Sequence, residues 1–542
     1  MTRREAWLSA LVVAAVALAV RIWAASIITF PRPEDTAYYI GVARSLLEGR
    51  GLVTNAIWSY GTPPLVFPRP AFEVWLPLPS FLAAIPMALL GATFAAAQWS
   101  SIAVGALLAV LAWRLAADVA ADRGLSPGRA RSVAVGTGLT AGVFLPLVLH
   151  STLPDSTMPF GALVLIACLL AGRIARDPRG ARLSDTRVLA LGVVLGLAAL
   201  TRNEAAWLAL GWLIVARGIA RESGSGIRGW VRMVVGAAIP AMLVFAPWAI
   251  RDWIVFGSPL PGQALTNALS LEGHDIFAWS NPPTLSRYLA AGAPALAGLR
   301  WDGFVHNLLS VLLLPGIPIA AIGLVTLPWT AHGSALRLLV IFALLTFAAT
   351  TLLFPVSTLW GTFLHAAAAV QVLLVLSALL ALDGLIAAVG RRRSWTRPVA
   401  WLGPGAGIAA GILFTAALLP AFGRGGDETR DRYAALPVAL AAAGAPLPVD
   451  GAVITNFPIW MAEATGTRSL ALPNESPDAV LDLARAFPGT KLVIVADDTA
   501  GIWPGVATTD PTGRRCFEPV PLAASGPEDP LAGVVVLRII CP

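Results

Sequence analysis

Charged residues, lysine and cysteine are all scarce in this 542-residue chain. Only 13% of the residues are charged and 57% are hydrophobic, more apolar surface than a soluble protein of this size could keep from water. Lys491 is the only lysine, so arginine supplies nearly all the positive charge behind the net value of +7. The arginines stand in short segments between apolar runs. This pattern is typical of membrane topology signals, so the charge does not indicate nucleic-acid binding.

Motifs of nucleotide and metal sites are also missing. The sequence contains no Walker loop, no Cys-x-x-Cys and no His-Glu-x-x-His, so it predicts no cofactor and leaves a divalent ion open. Of the three cysteines, Cys168 stands in an apolar run and is expected to pack there. Cys516 and Cys541 stand near the C-terminus, where an extracytoplasmic location permits a disulfide; two buried thiols are the alternative.

Apolar runs recur between residues 7 and 419, each near the ~20 residues that cross a bilayer. Arg3 and Arg4 precede the first run and predict a cytoplasmic N-terminus. Alternation of the later basic loops gives about eleven spans. Segment 72–90, interrupted by three prolines, is then expected to lie along the outer membrane face. The sequence therefore predicts a mainly α, polytopic membrane domain over residues 1–420.

The composition changes beyond Phe422. Periodicity predicts helices and short buried strands at 427–443, 452–456, 478–487, 492–496 and 534–540. These segments predict a small extracytoplasmic α/β domain over residues 421–542.

Ionisable and aromatic residues gather at the outer ends of the predicted spans. An acidic pair, Glu34 and Asp35, is followed one helical turn later by Tyr38 and Tyr39. The other members of the set are Arg21, Arg69, His150, Asp155, Arg202, Glu204, Arg251, Asp252 and His365. Ionisable groups at a membrane edge are costly and usually functional. Acids and cations at one depth suit a lipid phosphate held by arginines, with carboxylates near a reacting sugar or hydroxyl.

Each of these residues also has a structural alternative. The three acids could cap helices, because carboxylates are stabilised at helix N-termini. Arg202 and Arg251 could be interfacial anchors, His365 could be a packing residue, and Glu204 could simply pair with Arg202.

The order of the motifs resembles the GT-C superfamily of polyprenyl-phosphate-sugar glycosyltransferases, particularly the lipid A aminoarabinose transferases and protein O-mannosyltransferases. The matching segments are Glu34-Asp35-Thr36-Ala37-Tyr38, Arg69-Pro70, Leu153-Pro154-Asp155, Thr201-Arg202-Asn203, Pro247-Trp248-Ala249-Ile250-Arg251-Asp252 and Gly361-Thr362-Phe363-Leu364-His365. The resemblance covers the membrane part and, more loosely, the C-terminal domain. This chain has Glu-Asp where those families usually have Asp-Glu or Asp-Asp, which leaves open which carboxylate is the base.

The resemblance implies an inverting glycosyltransferase of the bacterial cytoplasmic membrane. It would move a sugar from a polyprenyl-phosphate donor to a hydroxyl of a glycan, lipid or protein acceptor at the outer face. Asp35 or Glu34 would be the base, and Asp155 would orient the acceptor or tune that base. The implied phosphate-binding residues are Arg69, Arg202, Arg251 and His365, and the implied substrate-binding residues are Tyr38, Tyr39 and Glu204.

A transporter or flippase of lipid-linked glycans is the rival interpretation. Such proteins place charges or broken helices near the membrane midplane and usually contain internal repeats. Here the ionisable residues favour the outer ends of the spans, and the main exception, Asp383, stands toward a cytoplasmic end. A purely structural scaffold would leave the outer residues unexplained.

Overall fold

The structure is a computed structural model that describes residues 2–177, 185–395, 399–497, 499–523, 526 and 528–541. Helices dominate the first four-fifths of the chain. The α-helices of this membrane part are α1 (Arg3–Ile27), α2 (Glu34–Leu47), α3 (Leu78–Leu90), α4 (Phe94–Asp122), α5 (Pro127–Val143), α6 (Leu145–His150), α7 (Thr157–Arg176), α8 (Thr186–Ala199), α9 (Ala205–Glu222), α10 (Gly226–Phe256), α11 (Ala264–Leu269), α12 (Leu285–Ala290), α13 (Gly292–Val305), α14 (Ile319–Thr330), α15 (Arg337–Leu352), α16 (Thr362–Ala366), α17 (Ala368–Arg392) and α18 (Leu402–Ala442). A π-helical segment, His306–Leu313, continues α13.

Within the described residues, six helices are long and apolar enough to cross a membrane. The count becomes seven if the helical pair bent by 118° between α13 and α14 is one span. Helices α3, α8 and α15 are also apolar but shorter, with 10–17 residues. The chain is a multi-pass membrane protein, as predicted, while the total of about eleven spans stays a prediction.

Small side chains allow the membrane helices to approach closely. Helix α4 packs along α1 and α5, and α8 packs along α10. A Cβ atom at Gly192 of α8 would lie 2.2 Å from the carbonyl oxygen of Ala237 in α10, so only glycine permits this backbone contact. The loops between α1 and α3, α6 and α7, α8 and α9, and α15 and α17 come into contact with one another.

The C-terminal part is an α/β unit around one mixed sheet. Its strands and helices are β4 (Ala452–Thr455), α19 (Pro458–Thr465), β5 (Arg468–Ala471), α20 (Pro477–Ala486), β6 (Leu492–Val495), α21 (Gly505–Thr509), α22 (Pro511–Cys516), β7 (Phe517–Val520) and β8 (Val535–Ile539). The structure confirms the predicted strands at 452–456, 492–496 and 534–540 and the helix at 478–487, each within two residues at its ends.

One strand of this sheet comes from the loop between α1 and α3, which the sequence predicts to be external and which is called the external loop below. That loop contains β1 (Val53–Thr54), β2 (Ala56–Ile57) and β3 (Arg69–Pro70). The sheet order is β2-β5-β4-β6-β8-β7, with the first four strands parallel and β8 antiparallel to both neighbours, whereas β1 and β3 form a separate antiparallel pair. Helix α18 runs without a break across the predicted boundary at 420/421. The external loop and the α/β unit therefore share one folded core.

The structure decides between the two alternatives that the sequence left open for the C-terminal cysteines. Cys516 and Cys541 form a disulfide, which ties the start of β7 to the residues that follow β8. Cys168 is a buried free thiol in α7.

Candidate active site

Helix α2 carries the acidic pair at its N-terminal end, where Pro33 begins the helix. One carboxylate oxygen of Asp35 accepts a hydrogen bond from the backbone N–H of Thr36 at 2.9 Å. The other oxygen lies 3.2 Å from Nε2 of His365, on the short helix α16. Asp35 therefore combines a local capping contact with a contact to a residue 330 positions later in the chain.

Asp155 lies at the start of α7 and contacts the same histidine. Its Oδ1 accepts from the backbone N–H of Thr157 at 2.7 Å, as the capping alternative predicts. Its Oδ2 lies 3.6 Å from Nδ1 of His365 and 3.5 Å from Nδ1 of His150. The hydroxyl of Thr157 is 2.7 Å from Nδ1 of His365. If that hydroxyl donates, the neutral ring carries its proton on Nε2 and donates to Asp35.

Arg202 completes the group from the turn between α8 and α9. Its guanidinium is held by Glu204 at 2.8 and 3.0 Å, and it donates to the Ser156 hydroxyl at 2.8 Å and to the Thr362 carbonyl at 3.3 Å. Tyr39 is buried next to Ser156 and Arg202. We refer to Asp35, Tyr39, Asp155, Arg202, Glu204 and His365, together with His150, as the polar cluster.

Burial and local charge set the proton affinity of the two aspartates in opposite directions. Burial raises the pKa of Asp35, assisted by the nearby negative charge of Asp155 and opposed by His365 and Arg202. Burial also acts upward on Asp155, but the adjacent His150 and His365 side chains outweigh it and hold its pKa below the usual value. A carboxylate with a raised pKa takes up a proton readily, which suits Asp35 to general-base catalysis.

His150, Asp155 and His365 could also hold a metal ion. One ligand atom from each of the three lies within 4.8 Å of the other two, and all three residues are buried. Two imidazole nitrogens and a carboxylate oxygen form a donor set that suits zinc, manganese or iron. The residues therefore fit a divalent cation, although the sequence contains none of the contiguous motifs that usually announce one.

The structure does not bring Glu34 into the polar cluster. One carboxylate oxygen of Glu34 accepts from the backbone N–H groups of Ile459 and Trp460, at 2.9 and 3.3 Å, at the start of α19 in the α/β unit. Burial raises the pKa of Glu34 to about 8 despite these bonds, so the group keeps its proton at neutral pH. These contacts favour Asp35 over Glu34 as the base.

Two other predicted residues, Arg69 and Arg251, lie in a different group, around Glu73. Arg69 is fully buried, lies 3.0 Å from the Glu73 carboxylate and donates to the Thr62 carbonyl at 2.9 Å. Arg251, paired with Asp252 at 2.8 Å, exerts its positive charge on Glu73 as well. Arg69 therefore has an internal partner inside the folded loop, while its Nη1 atom has no hydrogen-bond partner among the residues that the structure describes.

Tyr38 likewise belongs to the packing of the loop. Its hydroxyl accepts from the backbone N–H of Phe72 at 2.6 Å, and its ring lies 4.3 Å from that of Trp75. Of the two predicted tyrosines, only Tyr39 lies beside the polar cluster.

Three members of this neighbourhood received no role from the sequence: His150, which was predicted only to stand at an outer end of a span, Ser156 and Thr157. The last two directly follow Asp155, and their hydroxyls contact Arg202 and His365. Ser156 and Thr157 could have been predicted from the sequence only because they are adjacent to Asp155. His150 stands at an outer helix end five residues before Asp155, but a lone histidine there has no distinguishing pattern.

A scan against sequence profiles of protein families finds no match, and neither does a search of the curated proteins. Solved structures match the fold over nearly the whole chain. ArnT from Cupriavidus metallidurans bound to undecaprenyl phosphate is 15% identical, with a TM-score of 0.55 and 98% of both chains covered. The apo oligosaccharyltransferase of Archaeoglobus fulgidus is 14% identical, with a TM-score of 0.55 over 99% of this chain and 76% of that one. The same enzyme tethered to an acceptor peptide is 13% identical, with a TM-score of 0.56 over 96% of this chain and 72% of that one.

Aminoarabinose transferase ArnT and the archaeal oligosaccharyltransferase are both GT-C superfamily members. The predicted resemblance is thereby confirmed at the level of the fold, as is the predicted class of polytopic helical protein with a C-terminal domain. This chain has the fold of the GT-C glycosyltransferases.

Proposed function

We propose that the protein is an inverting membrane glycosyltransferase that transfers a sugar from a polyprenyl-phosphate donor to an acceptor hydroxyl. The proposal depends on one observation: four separate loops bring Asp35, Asp155, Arg202 and His365 together. His365 contacts Asp35 and Asp155, and Arg202 contacts Ser156 and Thr362, which lie close to Asp155 and His365 in the sequence. The structural neighbours support the donor class, because one is bound to undecaprenyl phosphate in its solved structure.

In this proposal Asp35 is the general base. It removes the proton of the acceptor hydroxyl while the hydroxyl oxygen forms a bond to the anomeric carbon and the bond from that carbon to the phosphate oxygen breaks. The raised pKa of Asp35 favours this proton uptake. Asp155 and Thr157 hold His365, which orients the Asp35 carboxylate.

The leaving group is a phosphate ester that needs charge stabilisation and no strong acid. Arg202 supplies a fixed positive charge beside Asp35, and Glu204 and Ser156 hold it in position. Tyr39, buried next to Arg202, contributes a hydroxyl at the same place. Arg251, whose side chain is partly exposed, is the remaining candidate for contact with the phosphate.

A divalent ion at His150, Asp155 and His365 fits the proposal equally well. Such an ion would neutralise part of the phosphate charge when bound. Asp35 keeps its role as proton acceptor in either case, and removal of metal with a chelator before the assay distinguishes the two situations.

The proposed location is the cytoplasmic membrane of a bacterium, with the N-terminus inside and the α/β unit outside. The distribution of arginine supports this orientation, because Arg3, Arg4 and the arginines at the ends of α7, α9 and α17 all fall on the same side of the predicted topology. The partners are then a lipid-linked sugar and a glycan, lipid or protein acceptor, without nucleic acid.

The test uses the purified full chain in lipid nanodiscs with undecaprenyl-phosphate-linked sugars. Mass spectrometry monitors the release of undecaprenyl phosphate. We expect the intact protein to release it and the Asp35→Asn variant not to. Nanodiscs have no separate compartments, so a flippase would consume no donor. Donor that stays intact with every sugar and acceptor tried would argue for that rival.

A further inference from the structure

A polar groove lies where the C-terminal half of α2 meets the α/β unit. Two adjoining cavities of about 210 and 470 Å³ form it and share the residues Arg50, Asn55 and Gly466 in their linings. The groove is separate from the polar cluster, which lies at the other end of α2. The mechanism proposed above makes no use of it.

The lining of the groove is rich in positive charge. Arg44, Arg50 and Arg468 line it together with the carboxylate of Glu463, and Arg50 is also paired with Glu48. Arg44 contacts Glu463 at 2.7 Å and the carbonyl of Ala92 at 3.3 Å. The guanidinium of Arg468 is exposed and donates to one backbone carbonyl at 2.9 Å, so most of its donors face the groove or solvent.

Ser45 gives the groove a buried hydroxyl without a hydrogen-bond partner among the described residues. Its side chain is 1% exposed, it lines the smaller cavity, and its hydroxyl makes no hydrogen bond to any residue that the structure describes. Buried hydroxyls are nearly always hydrogen-bonded, so an unpaired one in a cavity wall indicates a missing ligand or water.

Gly41 of α2 leaves space for the carboxylate of Glu463. A Cβ atom at Gly41 would lie 1.9 Å from the Oε1 atom of Glu463, so no larger residue leaves room for this carboxylate. A carboxylate in the wall makes a bare anion a weaker ligand than one that also offers hydroxyl donors. Sugar hydroxyls, in contrast, donate to a carboxylate and accept from guanidinium and amide groups, and the lining offers both kinds of partner.

Helix α2 joins this groove to the proposed base. Arg44 is nine residues after Asp35, which is about 13 Å along a helix at 1.5 Å per residue. The groove and the proposed base therefore lie about 13 Å apart along the same helix.

We propose that this groove binds the acceptor, and that the acceptor carries a saccharide with carboxylate or phosphate groups. The proposal rests on the transferase function proposed above. The Arg468 guanidinium attracts the acidic groups, and Arg44 and Arg50, which are paired with Glu463 and Glu48, offer their remaining donors. Glu463, Asn55 and Ser45 hydrogen-bond to the hydroxyls.

The experiment measures binding rather than turnover, by calorimetry on the purified full chain in nanodiscs. The probes are trigalacturonate, uncharged maltotriose and inorganic phosphate. We expect trigalacturonate to bind at least about tenfold more tightly than maltotriose, in the intact protein and in Asp35→Asn alike. We expect phosphate to compete with it. Because Asp35→Asn keeps the groove, this binding persists even if the transferase proposal fails.

Three variants locate the site. Arg468→Gln should weaken trigalacturonate binding about tenfold, because a charged donor is lost. Ser45→Ala should weaken it about threefold and leave the unfolding temperature unchanged, because its hydroxyl has no partner to lose. Arg514→Gln, an exposed arginine of α22 outside the groove, is the matched control and should bind normally.

Three results would overturn the proposal. The first is equal binding of charged and uncharged saccharide, and the second is absence of competition by phosphate. The third is equal loss of binding in Arg468→Gln and Arg514→Gln, which would mean that trigalacturonate follows overall charge and not this groove.

Discussion

Two sets of acids and arginines have similar composition and different surroundings. Asp35 and Arg202, in the polar cluster, contact polar side chains of other loops, and Arg202 is also held by Glu204 of its own turn. Glu34 and Arg69 lie outside the polar cluster, and their partners are backbone groups and a buried carboxylate inside the folded loop and the α/β unit. An acid or arginine at a membrane edge is thus a candidate for catalysis only when its partners leave it able to exchange a proton or bind a charge.

The acidic pair gives the sharpest test of this comparison. Asp35→Asn should lower kcat/KM by about 10³, because the proton acceptor is lost. Glu34→Gln should stay within about threefold of the intact protein, because the amide oxygen still accepts from Ile459 and Trp460 and the carboxyl is protonated at neutral pH. Donor consumption in nanodiscs measures both variants. A large loss in Glu34→Gln with normal activity in Asp35→Asn would reverse the assignment.

Paired substitutions extend the test to the cations. Arg202→Gln with Glu204→Gln removes an ion pair of the polar cluster and should lower kcat by about 10², because the departing phosphate loses its fixed positive charge. Arg69→Gln with Glu73→Gln removes the buried pair and should leave kcat within about threefold. Both double variants keep the local charge balanced, which limits the cost in stability.

Arg69→Gln alone provides the control for that pair. It leaves the buried carboxylate of Glu73 without its cation and should destabilise the protein by about 3–5 kcal/mol, whereas the double variant should lose less. Thermal unfolding in nanodiscs measures both. Equal stability of the single and double variants would show that Arg69 and Glu73 do not depend on each other.

The sequence predicted those features that local pattern determines. Strands β4 and β6 are short, fully buried apolar runs, and α20 has one apolar face, so their types followed from periodicity. Strand β2 could not be predicted, because its two residues pair with β5 from a segment more than 400 residues away. The same distance hid the role of Glu34, whose partners at the start of α19 gave no signal near residue 34.

The polar cluster could be outlined from sidedness alone, since Asp35, Asp155, Arg202 and His365 all stand at predicted outer ends of spans. Sidedness reports depth in the membrane and carries no information on lateral position. It therefore could not separate Arg69 from Arg202, whose different partners become visible only when the loops are folded against each other.

The pH dependence of turnover should follow the ionisation of Asp35. A base works only when deprotonated, and burial raises the pKa of Asp35 above that of an ordinary aspartate. Activity should therefore fall about tenfold per pH unit below that raised pKa, and at a higher pH than an ordinary aspartate would give. A kcat/KM profile between pH 5 and 9 measures this. A profile that is flat in this range would mean that Asp35 titrates elsewhere or is not the base.

The ionisation of Glu34 should have a smaller effect, which concerns the stability of the protein and not its turnover. Its pKa is about 8 in the folded protein and 4.5 in a free side chain. Below pH 4.5 both states keep the proton, so its contribution to stability is fully present. As the pH rises toward 8, only the unfolded chain releases the proton, and the folded state loses that contribution. The unfolding temperature of the intact protein should therefore fall relative to Glu34→Gln between pH 5 and 8, measured by tryptophan fluorescence. A difference that does not change with pH would mean that Glu34 is ionised against α19 and that its two backbone hydrogen bonds outweigh its burial.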